Sequence, residues 1–272
     1  MKIILVTGAA GFIGFHVSKD LLKRNFKVIG LDNMNNYYSV KLKKKRLNLL
    51  KKFKKFKFFK IDIKNNFKLL QNLQKEKIHC IIHLAAQAGV RHSILKPRDY
   101  LNSNVIGYYN ILELAKSKKI KHLLLASTSS IYGNSKKKIF NERDKTDFPV
   151  QFYAATKKSC EVMSHAFTTI YKLPTTVLRF FTVYGPYGRP DMAYYNFAEN
   201  ITNNKQISVF NYGKQTRDFT YIDDITNAIT KIVKKPPTKK INYYRILNIG
   251  KGKSDKLSDF IKYLELYLGK KA

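Results

Sequence analysis

The sequence predicts an α/β fold in which a doubly wound parallel sheet is followed by a smaller C-terminal lobe. Short apolar runs alternate along the chain with longer segments of helical periodicity, which is typical of βαβ units. The runs contain little polar alternation, as expected for strands that are buried on both faces. A glycine-rich segment also joins the first run to the first helical segment, where such a fold has its first turn.

Six strands are predicted in the first two thirds of the chain, each from a short apolar run. They cover residues 2–6, 27–31, 56–61, 80–84, 122–127 and 175–180. Helical periodicity predicts helices over residues 12–24, 104–116 and 153–171. We find no internal repeat.

The rhythm changes after residue 183, where loops rich in Tyr, Pro and Gly separate three further predicted helices. These helices cover residues 194–203, 223–233 and 257–268. We therefore expect a first domain over residues 1–182 and a smaller lobe over residues 183–272. Segments around residues 217–233 are expected to return to the first domain.

The composition excludes several classes of protein. With 44% hydrophobic and 13% aromatic residues, the 272-residue chain is neither disordered nor collagen-like, and its apolar runs are too short for a membrane span. The apolar start is cut short at Thr7, so it predicts a strand and no signal peptide. Cys80 and Cys160 lack the spacing of a disulfide framework or a metal site, which favours a reducing compartment and the cytoplasm.

The charge is strongly positive, with 52 basic against 18 acidic residues and a net charge of +34. Most of the basic residues are lysines, whereas phosphate and base recognition favours arginine, so solvated lysine-rich faces are the favoured interpretation. We expect no dedicated nucleic-acid or membrane partner. The basic segment 40–59 is compatible with an amphipathic helix on a membrane or with packing on the core, which we favour.

The segment Thr7-Gly8-Ala9-Ala10-Gly11-Phe12-Ile13-Gly14 has the context of a dinucleotide site, between a predicted strand and a predicted helix. Gly8 permits a tight turn, Gly11 lets backbone approach a pyrophosphate, and Gly14 allows close packing of helix on sheet. The helix start at Phe12 and Ile13 offers N–H groups to phosphate. An ordinary tight turn is the alternative.

A carboxylate at the end of the second predicted strand strengthens the dinucleotide interpretation. Asp32 follows Gly14 by 18 residues, where it would accept hydrogen bonds from an adenosine ribose. Its charge would repel a 2′-phosphate, so the sequence favours NAD over NADP. Asp32 with Asn33 could instead form a turn. The next predicted strand ends at Asp62 and Ile63, which border the adenine or belong to a turn.

A tyrosine and a lysine at helical spacing are candidates for the reacting groups. In Tyr153-Ala154-Ala155-Thr156-Lys157 the phenol and the ammonium share one helix face, and the positive charge should lower the tyrosine pKa. The fifth predicted strand ends in hydroxyls at Ser127, Thr128, Ser129 and Ser130, one of which could share the proton. The alternative is a polar loop that caps a strand.

Taken together, the motifs resemble the extended short-chain dehydrogenase/reductase family, also described as NAD-dependent epimerases and dehydratases. The resemblance runs from residue 2 to residue 268. It rests on residues 7–14, 32–38, 83–91, 127–133, 153–157, 179–192 and 217–224. It implies a Rossmann fold and NAD-dependent 4-epimerisation of a UDP-sugar, with UDP-glucuronate as the expected substrate and decarboxylation or another sugar-nucleotide 4-epimerisation as the alternatives.

The resemblance also implies roles for individual residues. Tyr153 would be the base, Lys157 would tune it and Thr128 would be its hydroxyl partner. The implied cofactor residues are Gly8, Gly11, Phe12, Ile13, Gly14, Asp32, Asn33, Asp62, Ile63, Leu84, Ala85, Ala86, Gln87, Asn104, Ser127, Tyr153 and Lys157. The implied substrate residues are Arg91, Ser129, Ser130, Thr182, Arg189 and Arg217, with the hydroxyls on the uronate carboxylate and the last two arginines at the nucleotide end.

Three further expectations follow from the resemblance. Related 4,6-dehydratases carry an Asp-Glu pair where this chain has Ser129 and Ser130, so dehydration is disfavoured. Family members continue for some tens of residues beyond the position of Ala272, which implies a partly incomplete substrate lobe and an alternative function as an NAD-binding remnant. Helices around residues 104–116 and 153–171 are expected to pair two subunits into a homodimer.

Overall fold

The computed structural model describes residues 2–135, 137, 139–209, 213 and 216–272. Its larger strands alternate with helices, as the sequence predicts. The strands are β1 Ile3–Thr7, β2 Lys27–Asp32, β3 Phe56–Lys60, β4 Ile78–His83, β5 His122–Thr128, β6 Thr175–Phe180, β7 Thr182–Tyr184, β8 Thr216–Arg217, β9 Phe219–Tyr221, β10 Tyr244–Ile249 and β11 Asp255–Lys256.

The helices pack on both sides of these strands. They are α1 Phe12–Lys23, α2 Val40–Lys51, α3 Asn66–Leu73, α4 His92–Leu95, α5 Pro97–Tyr100, α6 Gly107–Ser117, α7 Phe152–Tyr171, α8 Ala193–Thr202, α9 Ile222–Val233 and α10 Leu257–Leu268. A π-helical segment, Leu101–Ile106, leads into α6, and short 3₁₀ turns cover Ser129–Tyr132 and Lys239–Ile241. Among the helices of the described chain, none is long and apolar enough to cross a membrane.

The main sheet has seven parallel strands in the order β10-β6-β5-β4-β1-β2-β3. This is the doubly wound Rossmann sheet that the sequence predicts. Its seventh strand, β10, was not predicted, because its residues are only partly buried and it lies at an edge of the sheet, so its apolar run is short and mixed with polar residues.

Two hydrophobic clusters cover the two faces of the sheet. Successive residues of β1 divide between them, with Leu5 in one cluster and Ile4 and Val6 in the other. The same alternation holds in β5, where Leu124 faces away from its neighbours. Each strand is therefore apolar throughout because both of its faces are buried.

Parts of the chain beyond residue 182 belong to this layered structure. The strand β10 pairs with β6 from Thr175 to Phe180, and α9 packs on α1, where the Thr230 hydroxyl donates to Asp20 at 2.7 Å. The pairs β7 with β9 and β8 with β11 form two small sheets of their own, of which the first contacts α9 and the second contacts α10. The division of the chain at residue 182 stays a prediction.

The basic segment 40–59 forms two elements. Its helix α2 ends at Lys51 and the chain enters β3 at Phe56, so a continuous amphipathic helix over residues 40–59 is wrong. The apolar run that begins at Phe56 pairs with β2, which a helix would prevent. The side chains of Leu47 and Leu50 are buried, so α2 packs on the core.

Candidate active site

A cavity of about 770 Å³ lies at the carboxyl ends of β1, β2, β4, β5 and β6. This is the edge at which open α/β sheets bind ligands. Every predicted cofactor, substrate and catalytic residue lines the cavity except Asn104. Residues from positions 8 to 217 therefore share one space. In the part of the chain that the structure describes, no group of three His, Cys, Asp or Glu residues is placed to hold a metal ion.

The turn between β1 and α1 requires its glycines. Gly8 has φ +70°, and a Cβ there would lie 2.9 Å from the Ala85 nitrogen. A Cβ on Gly14 would lie 2.1 Å from the Gly8 carbonyl oxygen, which no side chain tolerates. Gly11 precedes the first residue of α1 and supplies no side-chain cap, so the N–H groups of the first turn face the cavity as an anion site.

Asp32 ends β2 as a buried carboxylate beside this turn. It accepts hydrogen bonds from the backbone nitrogens of Ala10 at 3.1 Å and Met34 at 2.8 Å. Burial raises the pKa of Asp32, while these bonds and the charge of Lys43 oppose the rise. Each carboxylate oxygen keeps a lone pair for a further donor, so the residue fits the hydroxyls of a ribose.

The wall that faces the glycine turn is held by Thr7. Its hydroxyl oxygen accepts from the nitrogens of Leu84 at 3.2 Å and Ala85 at 3.1 Å, and it lies 2.9 Å from His83 Nδ1. Because the oxygen already accepts two bonds, its own proton is donated to His83. Burial and the charge of Lys157 hold the pKa of His83 well below its usual range, so the imidazole is neutral. We did not predict this pair, whose signal is two polar residues in otherwise apolar strands.

Asn104 lies behind the cavity wall. The side chain is buried, accepts from the Gln87 nitrogen at 2.8 Å and donates to the Gln87 carbonyl at 3.0 Å and to the Thr156 hydroxyl at 3.0 Å. Asn104 belongs to the π-helical segment and fixes the backbone of Gln87, which lines the cavity. The side chain is thus occupied by Gln87 and Thr156 and does not line the cavity, and its expected contact with the cofactor stays a prediction.

Tyr153, Lys157 and Thr128 meet at the wall formed by β5 and α7. Tyr153 stands in the first turn of α7, Lys157 follows one turn later, and Thr128 ends β5. The helix begins after Gln151, whose extended backbone aims the first turn at the cavity. The phenol and the hydroxyl predicted from sequence therefore share the cavity with the lysine ammonium.

The electrostatics of this group differ from the prediction. Burial raises the pKa of Tyr153, whereas the charge of Arg189 and a hydrogen bond with Thr128 oppose the rise. Burial also lowers the pKa of Lys157, which the nearby Glu161 opposes. The prediction that the pKa of Tyr153 is lowered is wrong, because desolvation outweighs the nearby charges.

The Ser127 hydroxyl, near the end of β5, is held by a buried ion pair that was not predicted from the sequence. Ser127 donates to Glu161 at 2.5 Å, and Glu161 accepts a bidentate pair of bonds from Arg179 at 2.9 and 3.1 Å. Both charged side chains are almost fully buried. Glu161 follows Lys157 by one helical turn, and this spacing could have indicated that both lie on the same face of the helix. Next along the chain, Thr128 donates to the Ser130 hydroxyl at 3.1 Å.

The cations of the predicted substrate side differ in setting. Arg189 forms a bidentate ion pair with Asp191, which also accepts from the Tyr37 hydroxyl at 3.0 Å. Its charge also acts on Tyr153, and its contact with the nucleotide end of the substrate stays a prediction. Arg217 lies on the short exposed strand β8, and Arg91 is exposed at the start of α4. Both line the cavity.

The chain belongs to the NAD-dependent epimerase/dehydratase family, since the sequence model of that family matches residues 4–250. Within that family it is similar to UDP-glucuronate 4-epimerases. It is 46% identical over 274 residues to UDP-glucuronate 4-epimerase of Thermodesulfobacterium geofontis, covering 100% of this chain and 82% of that protein. It is 43% identical over 282 residues to the probable UDP-glucuronate 4-epimerase of Rhizobium meliloti, covering 98% and 83%.

The fold agrees with these sequence relatives. The crystal structure of UDP-glucuronic acid 4-epimerase from Bacillus cereus, in complex with UDP-glucuronic acid and NAD, matches with a TM-score of 0.89 at 35% identity. The match covers 99% of this chain and 84% of that one. The predicted fold class and family are thus confirmed.

Proposed function

We propose that this protein interconverts UDP-glucuronate and UDP-galacturonate by NAD-dependent epimerisation at C4 of the sugar. The observation that carries the proposal is one cavity that holds a dinucleotide turn, the Tyr153 and Lys157 pair and a row of hydroxyls. The Bacillus cereus enzyme, which has the same fold, was crystallised with both UDP-glucuronic acid and NAD.

The residues of the chain fit NAD. The glycine turn leaves no space for a Cβ, the start of α1 offers N–H groups to a pyrophosphate, and Asp32 offers acceptor sites to ribose hydroxyls. Leu84, Ala85 and Gln87 form the opposite wall. Bound NAD supplies a hydride acceptor that later returns the hydride, so no net oxidation occurs.

The reacting groups of the chain move a proton. Tyr153 removes the proton from the sugar 4-hydroxyl as C4 becomes a ketone, and it returns a proton when the ketone is reduced from the other face. A hydrogen bond with Thr128 stabilises the phenolate form, for which the Thr128 hydroxyl turns its proton from Ser130 to the phenol oxygen. The nearby Arg189 supplies positive charge for the same purpose. A ketosugar that turns over before reduction emerges with inverted C4.

The hydroxyls explain why the carboxylate is retained. The intermediate is a β-keto acid. It loses carbon dioxide when the carbon–carbon bond to its carboxylate lies parallel to the π orbital of the ketone. We propose that Ser129, Ser130 and Thr182 donate hydrogen bonds to the carboxylate and hold it out of that alignment. The two serines also leave no carboxylic acid at these positions for an elimination.

Incubation of the purified protein with UDP-glucuronate, followed by separation of the sugar nucleotides, tests the function. We expect UDP-galacturonate at equilibrium with the substrate. A UDP-pentose product would identify a decarboxylase, and protein that retains NAD without making any product would identify an NAD-binding remnant. Either outcome rejects the proposal.

The variant Tyr153→Phe tests the proton transfer. We expect turnover to fall by about two to four orders of magnitude, because the phenol acts as general base and acid. Bound NAD, measured after denaturation, should stay as in the wild type. Tyr171→Phe is the matched control, since Tyr171 ends the same helix and is half exposed. Full activity of Tyr153→Phe would contradict the assignment.

We also propose that the protein is a homodimer that pairs through α6 and α7. These packed helices expose apolar side chains on their outer faces, among them Tyr109, Val162 and Ile170 at 47, 58 and 66%. An exposed apolar surface of this kind is typical of an interface. Both cysteines are buried and unbridged, which supports a reducing compartment, and we propose the cytoplasm.

Sedimentation equilibrium tests the dimer. We expect twice the chain mass for the wild type and the monomer mass for Val162→Glu, because a carboxylate would be desolvated in the interface. Leu266→Glu, on an exposed site of α10, should leave the dimer intact. A monomeric wild type would contradict the proposal.

A further inference from the structure

The basic helix α2 carries an arginine that is completely buried. Arg46 has 0% exposure and does not line the cavity. Its Nη1 donates to the Ala10 carbonyl at 3.0 Å and to the Tyr38 hydroxyl at 2.7 Å. Its Nη2 donates to the carbonyls of Tyr187 at 2.6 Å and Gly188 at 3.0 Å. These four acceptors are neutral, so no opposite charge offsets the free-energy cost of burying the guanidinium.

The acceptors belong to opposite halves of the candidate site. Ala10 lies in the glycine turn that faces the cofactor side. Tyr187 and Gly188 lie just before Arg189, which lines the substrate side. One guanidinium therefore bridges the turn and the substrate segment. A shorter side chain, or one without N–H donors on two separate nitrogens, cannot bond both.

The substrate segment needs such support. Tyr187 has φ +55°, a left-handed conformation that is unfavourable for a residue with a side chain. Besides the bond to Arg46, the segment rests on α1, where His16 donates to the Pro186 carbonyl at 2.8 Å and the Phe15 and Tyr187 rings lie 5.3 Å apart. The Arg46 fork thus fixes carbonyls whose backbone would otherwise relax.

The charge of Arg46 also lies behind the anion site. The group donates to the turn whose N–H groups face the cavity, and its field reaches Asp32 at the end of β2. In a poorly solvated interior, a charge acts on its neighbours more strongly than it does in water. A ligand phosphate at the start of α1 would therefore be attracted by it.

We propose that Arg46 is a positioning residue that joins the cofactor half of the site to the substrate half. It holds Tyr187 and Gly188 against the glycine turn, so that Arg189 stands where the nucleotide sugar binds, and it adds positive potential behind the phosphate site. It touches neither ligand. The identity of the substrate in this proposal rests on the proposed function.

Arg46→Lys and Arg46→Met separate the two effects. The lysine variant keeps the charge and loses the fork, so we expect UDP to bind about tenfold more weakly while NAD retention stays near the wild type. The methionine variant loses both, and we expect weaker UDP binding together with loss of NAD. UDP binding is measured by calorimetry and NAD by release on denaturation. Lys44→Met, an exposed cation of the same helix, should match the wild type.

Steady-state kinetics distinguishes positioning from a general loss of structure. For Arg46→Lys we expect KM for UDP-glucuronate to rise about tenfold and kcat to stay within about twofold, because Tyr153 and Lys157 lie on another helix. Folding of each variant is checked by circular dichroism, and the lysine variant decides if the methionine variant does not fold.

Folded Arg46→Lys that binds UDP as tightly as the wild type would overturn the proposal. Weaker binding by Lys44→Met to the same extent would overturn it too, because the effect would then be one of net charge. The binding comparison needs no turnover, so a wild type that binds UDP without epimerising UDP-glucuronate contradicts the proposed function and leaves the Arg46 result valid.

Discussion

Two helices of equal length, α9 and α10, differ in how far they are buried: α9 packs on the main sheet, and α10 lies in the C-terminal region. Each has 12 residues and an apolar stripe. In α9, Ile222, Ile225 and Ile229 are fully buried between α1 and the sheet, whereas α10 has no buried residue and leaves Leu266 73% exposed. The helical pattern thus predicts the element, while its burial depends on a neighbouring surface that the pattern does not specify.

The same contrast divides the candidate site. The cofactor half consists of backbone turns and buried side chains at the ends of central strands, such as Gly8, Thr7 and Asp32. The substrate half depends on cations in loops and on the two-residue strand β8, with Arg217 exposed. We therefore expect the first half to be rigid and sensitive to volume, and the second half to adapt to its ligand.

Among the tests of this contrast, the largest expected effect is in the glycine turn. Gly14→Ala places a Cβ within 2.1 Å of the Gly8 oxygen, so the turn must move. We expect the variant to retain at least about tenfold less NAD, because the backbone N–H groups lose their alignment with the pyrophosphate. NAD content is measured spectroscopically after denaturation.

A glycine of the other region is the control for this substitution. Gly269 follows α10 with φ +63° and has no atom within 4 Å of an added Cβ. Gly269→Ala should lower the free energy of unfolding by about 1 kcal/mol through backbone strain and leave the NAD content unchanged. Equal NAD content in Gly14→Ala and the wild type would show that the turn is less rigid than its geometry indicates.

The central sheet and the cofactor half could be predicted because their signals are local. Strands buried on both faces are apolar throughout, and the glycines, Asp32 and the Tyr153–Lys157 spacing each report a nearby geometric requirement. These segments come together because parallel strands end at one edge. The resemblance added the substrate arginines and serines, which line the same cavity.

The remaining features depend on contacts between distant segments. The strand β10 joins the sheet at an edge by pairing with β6. Its run of mixed apolar and polar residues does not predict this pairing. In the sequence, Arg46 is one of several cations in a lysine-rich helix. Only the fold brings the carbonyls of residues 187 and 188 to it. The pKa of Tyr153 likewise depends on how much solvent the surrounding loops exclude, which spacing along a helix does not reveal.

The two helices of the opening comparison predict a second, smaller effect. Ile229→Ala in α9 should lower the free energy of unfolding by about 2–4 kcal/mol, because it leaves a cavity in a closed core. Leu266→Ala in α10 should change it by less than about 0.5 kcal/mol. Urea unfolding measures both. A cost at Leu266 equal to that at Ile229 would mean that the α10 surface is covered in solution.

The last expected effect is a pH dependence that belongs to the sheet region. His122 begins β5, where its Nε2 lies 2.8 Å from the Thr176 hydroxyl and its Nδ1 lies 3.4 Å from the Val233 carbonyl at the end of α9. Burial lowers the pKa of His122 from its ordinary 6.5 to about 4. The unfolded chain therefore binds a proton at this residue as the pH falls below 6.5, while the folded chain stays neutral there until about pH 4.

Protonation of His122 thus favours the unfolded state between these two values, and stability is lost as the pH falls through that window. From pH 7 to pH 5 the residue should remove about 2 kcal/mol from the free energy of unfolding. His122→Gln cannot take up the proton, so its loss over the same range should be smaller by that amount. Urea unfolding at both pH values gives the difference between the two proteins, in which the titration of the carboxylates and of His83 cancels. Parallel pH profiles would mean that His122 is protonated in the folded chain, and hence that water reaches the junction of β5 and α9.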